Sequence, residues 1–137
     1  MARIVIPADY EHLSLAYEFV EAQAKALGLS NAEIYDIKLA TDEAVTNIIL
    51  HGYCGCEGEI QVDVEQHENA LIVVLTDCGR LYDPTKKIAP DLNVPLSRRS
   101  KGGMGVYLMK KNLDQMSYQQ TDDGRNRLTM VKKKALA

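Results

Sequence analysis

Leu39-Ala-Thr-Asp-Glu-Ala-Val-Thr-Asn-Ile-Ile-Leu-His-Gly-Tyr53 reads as an apolar helical run in which Glu43 and Asn47 stand four residues apart. On a helix that spacing stacks two side chains on one face, so a carboxylate and an amide address the same volume. Leu39 and Leu50 flank that face, which argues for burial rather than solvation. A buried carboxylate needs a partner: a metal ion, a polar ligand, a transferable proton, or a neighbouring hydroxyl or lysine. Spacing alone does not choose among these.

Two further signals follow in order. Leu71-Ile-Val-Val-Leu-Thr-Asp-Cys-Gly79 is a continuous apolar run that reads as a buried strand and ends in Asp77 and Gly79. A carboxylate accepts hydrogen bonds only, so Asp77 at a strand end suits an amino group such as that of adenine. Gly79 lets backbone approach a ligand closely. Next comes Arg98-Arg-Ser-Lys-Gly-Gly-Met-Gly-Val-Tyr-Leu-Met109, a glycine-rich turn opening an amphipathic helix. Free N–H groups and the positive helix end make such a junction an anion site. Singly, Asp-x-Gly is also a turn and Gly-Gly-x-Gly also a flexible connection. Neither a P-loop nor a strand–GxGxxG–helix unit is present.

Taken together, the Glu-x-x-x-Asn helix, the Asp-x-Gly strand end and the Gly-x-Gly helix start resemble the N, G1 and G2 boxes of the histidine kinase, gyrase and Hsp90-type (GHKL) ATPase superfamily. Asp42 to Tyr53 with Gly102 to Met109 is similar to the small bacterial anti-sigma-factor serine kinases, and the resemblance covers nearly the whole chain. It implies a Bergerat ATP-binding fold with an ATP lid. By the same resemblance Asn47 holds Mg²⁺, Glu43 is the catalytic base, and Asp77 and Gly79 receive adenine. Lys101, Gly102, Gly103, Met104 and Gly105 close over the phosphates, and Asn126 is an adenine-side contact. The implied partners are an anti-anti-sigma antagonist protein as phosphoacceptor, a sigma factor and a second copy of the chain in a homodimer. The chain also departs from the pattern. Lys101 stands where these kinases carry arginine, Leu81 replaces the second G1 glycine, and Arg125-Asn126 replaces a Gly-Thr pair.

A chain of 137 residues with 46% hydrophobic content is sized for one domain, spanning residues 1–137. No apolar run of about eighteen residues and no signal-peptide pattern occurs, so a cytoplasmic protein without a membrane span is expected. A net charge of −3 argues against direct nucleic-acid binding. Lys86, Lys87, Arg98, Arg99 and Lys101 nevertheless gather around the glycine-rich segment, where they suit phosphates or a solvated loop. Cys54 and Cys56 beside His51 fall short of a zinc-ligand set, and the odd cysteine count fits reduced thiols. His51 reads as a helix-end residue near the pocket.

Strand, helix and turn signals complete the plan. A strand is expected over Arg3 to Ile6, then a helix from about Tyr10 to Leu27 stopped by Gly28. Ser30 and Glu33 form a capping box opening a second helix that runs to about His51. Ile60 to Glu65 and Ala70 to Thr76 form a hairpin. Residues 78 to 101, broken by Pro84, Pro90 and Pro95, read as a mobile lid. Met104 to Leu113 is helical, and Gln115 to Gln120 pairs with Arg127 to Lys133 around Asp122-Asp-Gly124. The fold class is α/β, more closely an α+β two-layer sandwich with helices on one face of a mixed, mostly antiparallel sheet.

Overall fold

The computed structural model describes residues 1–53, 57–81, 83–86 and 109–135. Five strands, β1 (Ala2–Pro7), β2 (Glu59–His67), β3 (Ala70–Asp77), β4 (Gln115–Gln120) and β5 (Asn126–Lys133), form one sheet in the order β1-β2-β3-β5-β4. Every described pair is antiparallel, so the mixed sheet expected from the sequence has no parallel pair among the described residues. Short turns join β2 to β3 and β4 to β5, whereas the β1–β2 pairing spans both helices and the β3–β5 pairing spans the long central connection.

Side-chain alternation divides the sheet into two faces. Ile60, Val62 and Val64 of β2, Leu71, Val73 and Leu75 of β3, and Leu128 and Met130 of β5 are buried on one face. Helix α1 (Leu13–Leu27) packs on this sheet through Ala16, Val20 and Ala24, residues four apart on one stripe. The preceding turn, Tyr10–His12, is 3₁₀, and the Asp9 side chain caps it by accepting from the His12 N–H at 3.0 Å. Gly28, left-handed at φ 87°, ends the helix.

Helix α2 (Asn31–Asn47) begins with the expected capping box: Glu33 N–H donates to Ser30 Oγ at 3.1 Å, and Ser30 N–H donates to Glu33 Oε1 at 2.7 Å. Ile34, Ile37, Ala40, Ala44 and Val45 bury its inner face. The α geometry stops at Asn47. Residues Ile48–Gly52 continue as one π-helical turn closed by Tyr53 N–H donating to the Ile48 carbonyl at 3.0 Å. A π turn re-aims the chain by widening one loop of the helix. It delivers Gly52 beside the end of β3.

The described portion of the connection after β3 includes a short 3₁₀ turn at Pro84–Lys86, tied by Lys110 Nζ donating to the Thr85 carbonyl at 2.6 Å. Of the lid expected over residues 78–101, residues 82 and 87–101 lie outside the described residues, as do residues 102–108 of the glycine-rich segment. Residues 109–112 are the described end of the expected helix, with Met109 and Leu113 in the core.

Candidate nucleotide pocket

Helix α2, the π turn and the ends of β3 and β5 enclose a pocket whose wall includes Asn47, Gly52, Asp77, Arg80, Tyr118 and Asn126. Two of the sequence-predicted anchors, Asn47 and Asp77, therefore meet. Asp77 is only 5% exposed. It stands directly opposite Asn126 in the β3–β5 ladder and opposite Ile60 in the β2–β3 ladder. Its Oδ1 accepts from Gly79 N–H at 2.9 Å and from Asn126 Nδ2 at 3.0 Å. No bond among the described residues engages Oδ2. Burial raises the Asp77 pKa, and the hydrogen bonds from Asn126 and Gly79 oppose that rise.

Asn47 is 7% exposed, and its Nδ2 is buried without a hydrogen-bond partner among the described residues. Leaving a buried amide donor unpaired costs about 1–3 kcal/mol, so the pocket carries an unmet polar demand. The unpaired Nδ2 is a donor and suits an acceptor oxygen of a ligand such as a phosphate, while the amide oxygen of the same side chain is a hard ligand of the kind Mg²⁺ takes.

Glu43 lies one turn before Asn47, half-buried, and is not among the residues lining the pocket. Its pKa is raised, first by burial and then by the neighbouring Asp42 charge. Leu50, expected to flank the buried face, is instead 51% exposed on the π turn.

Gly79 has a packing role beside the expected one. A Cβ there would lie 2.7 Å from the Gly52 carbonyl carbon and 2.9 Å from its oxygen. Its bareness therefore lets β3 and the π turn approach backbone to backbone, and Arg80 N–H donates to the Gly52 carbonyl at 2.7 Å. Asn126 lines the pocket and also braces it: Nδ2 donates to the carbonyls of Arg80 at 3.1 Å and Gly79 at 3.4 Å. Lys101, Gly102, Gly103, Met104 and Gly105 lie outside the described residues, as do Cys54 and Cys56. Cys78 is an exposed thiol.

Four contributors escaped the sequence reading. Gly52 and Arg80 join the wall through the π turn and the β3 end, and Tyr118 through strand alternation in β4. Tyr53 sits behind them, its hydroxyl donating to the Glu59 carbonyl at 2.6 Å and accepting from Cys78 N–H at 2.9 Å. The Gly52-Tyr53 pair closing the helix was the available signal.

A helix-backed antiparallel sheet whose strand-end carboxylate faces a helix amide across one pocket defines an α/β sandwich of the Bergerat type. The chain belongs to the histidine kinase-like ATPase domain family, which it matches over residues 6–132. It is 31% identical over 113 residues to the serine-protein kinase RsbW of Bacillus thuringiensis (strain Al Hakam), covering 80% of this chain and 71% of that one. RsbW of Bacillus anthracis (strain CDC 684 / NRRL 3495) is similar to the same extent. Among solved structures, the RsbU and RsbW domains of Rv1364c from Mycobacterium tuberculosis share the fold at TM-score 0.64 and 13% identity. That match covers 100% of this chain and 34% of the other. No helix among the described residues is long and apolar enough to cross a membrane.

Proposed function

We propose that this chain is an ATP-dependent protein serine kinase and anti-sigma regulator, phosphorylating a small antagonist protein in a bacterial partner-switching circuit. The observation that carries the reading is the meeting of Asn47 and Asp77 on one pocket in a chain 31% identical to serine-protein kinases. A homodimer acting in the cytoplasm, with a sigma factor as its client, belongs to the same proposal.

Asp77 Oδ2 accepts the adenine amino group, while Asn126 and Gly79 hold the other oxygen. Asn47 would contribute its oxygen to Mg²⁺, whose chemistry would be to neutralise charge on the phosphates. Glu43 takes the proton of the acceptor serine hydroxyl as its oxygen attacks the γ-phosphorus and the bond to the β–γ bridging oxygen breaks, releasing ADP. Burial makes Glu43 a stronger base than an exposed carboxylate. Phosphoryl transfer needs little more from a protein than positioning and charge. A second reading, nucleotide holding without transfer, is favoured by the absence of Glu43 from the pocket wall.

The test is incubation with γ-labelled ATP, Mg²⁺ and a small antagonist protein encoded beside this gene, for wild type and Glu43→Gln. The expected outcome is phosphoserine on the acceptor, reduced at least about a hundredfold in Glu43→Gln while ADP binding survives. Phosphohistidine as product would identify a detached histidine-kinase domain. Binding without any transfer would establish the holding module, and transfer at the wild-type rate by Glu43→Gln would remove Glu43 as base.

A further inference from the structure

The purine end of the pocket contains a three-residue relay in which Tyr118 donates its hydroxyl to Asn126 Oδ1 and Asn126 Nδ2 donates to Asp77 Oδ1. An amide has two nearly isosteric orientations, and its surroundings decide between them. Here Nδ2 faces three acceptors: Asp77 Oδ1, the Arg80 carbonyl and the Gly79 carbonyl. Turning the amide over would aim its oxygen at all three. Tyr118 occupies the Oδ1 side, so the same orientation is held from both ends. Tyr118 reaches this place because it pairs with Leu128 in the β4–β5 ladder, two positions from Asn126 on the same face.

The relay sets which oxygen of Asp77 remains for a ligand and in what form. Two N–H donors converge on Oδ1, and such donors stabilise a carboxylate against the cost of its burial. An ionised carboxylate has no hydrogen to give. Its Oδ2 therefore welcomes a 6-amino group and opposes a 6-oxo group, lone pair against lone pair. A carboxylic acid in the same place would donate to the 6-oxo group instead.

We propose that Tyr118 and Asn126 are positioning residues that hold Asp77 as an acceptor and thereby set the pocket's preference for 6-aminopurine over 6-oxopurine nucleotides. The inference rests on the ATP-pocket reading and extends it to the residues that orient Asp77. Removing the Asn126 donor leaves burial less opposed, so Asp77 keeps its proton to higher pH. Removing the Tyr118 hydroxyl frees one end of the amide and weakens the same restraint.

Calorimetric titration of the full chain with ADP and with inosine diphosphate, over pH about 5 to 8, tests this in wild type, Tyr118→Phe and Asn126→Leu. Wild type should prefer ADP at least about a hundredfold, since a site that pairs an amino group leaves a buried acceptor opposed when the group is replaced. Asn126→Leu should lower that ratio at least about tenfold and shift the pH midpoint of ADP binding upward, with inosine diphosphate gaining as pH falls. Tyr118→Phe, which keeps the ring and the fold, should move ratio and midpoint in the same direction by at least about threefold in the ratio. A merely structural brace would weaken both nucleotides together. An unchanged ratio and midpoint in Tyr118→Phe, with wild type binding ADP, overturns the inference alone. Absence of ADP binding by wild type overturns the pocket reading beneath it.

Discussion

Replacing Gly79 with alanine puts one methyl group into the tightest backbone contact of the pocket. The added Cβ would sit 2.7 Å from the carbonyl carbon, 2.9 Å from the oxygen and 3.0 Å from the Cα of Gly52. Ordinary carbon contacts lie at about 3.5–4.0 Å, so β3 and the π turn must separate by roughly 0.5–1 Å. Neither side offers a rotamer that relieves the clash, because all three atoms are backbone. Separation stretches the 2.7 Å bond from Arg80 N–H to the Gly52 carbonyl and disturbs the Gly79 N–H that holds Asp77. Overpacking costs about 1–3 kcal/mol and the weakened hydrogen bond about 1 more. Reduced freedom of the unfolded chain returns about 0.4–1 kcal/mol. The net expectation is a loss of about 2–3 kcal/mol, read as a fall in Tm of roughly 6–12 °C for a domain of this size. Thermal unfolding by circular dichroism measures it, and calorimetry should show ADP affinity falling as well. Gly124→Ala is the control: Gly124 has φ +82° and nothing within 4 Å, so alanine there should cost only about 1 kcal/mol and leave ADP affinity intact. A Gly79→Ala protein that melts within about 1 °C of wild type would refute the close-approach reasoning.

Asn47→Leu replaces a buried amide lacking a partner for Nδ2 with an apolar group of similar shape. The apo protein should gain about 1–2 kcal/mol in denaturant unfolding, while Mg²⁺-dependent ATP binding should be lost; loss of stability would show that the amide is satisfied. For pH, the raised pKa of Asp77 means that its charge opposes folding: the group makes no difference below the ordinary carboxylate range, and stability falls as pH rises through that range and the raised native value. Asp77→Asn should therefore gain stability over wild type as pH climbs above the ordinary carboxylate range, levelling off once the native carboxylate is ionised, yet bind ADP more weakly there; a pH-independent difference in Tm would contradict the shift.

The sequence by itself determined whatever depends on near neighbours in the chain. Ser30 and Glu33 lie within one helical turn, so their capping box was legible, as was the stop at Gly28. Strand alternation named β2 and β5 to within a few residues, and the order of Asn47, Asp77 and the glycine-rich segment named the superfamily. Tertiary structure decided the rest, because the partners are remote and their meeting depends on sheet register and backbone direction. Asn126 lies far along the chain from Asp77, and only the β3–β5 ladder sets the two face to face and makes the expected adenine-side residue a brace for Asp77 as well. Gly79 meets Gly52 because the end of α2 widens into a π turn, a change of one hydrogen-bond step that residue types alone did not signal. The same widening exposes Leu50, which helical spacing had placed on the inner face. Tyr118 joins the site through a cross-strand neighbour rather than a motif, since a hydroxyl acquires its role only from the amide that folding brings to it.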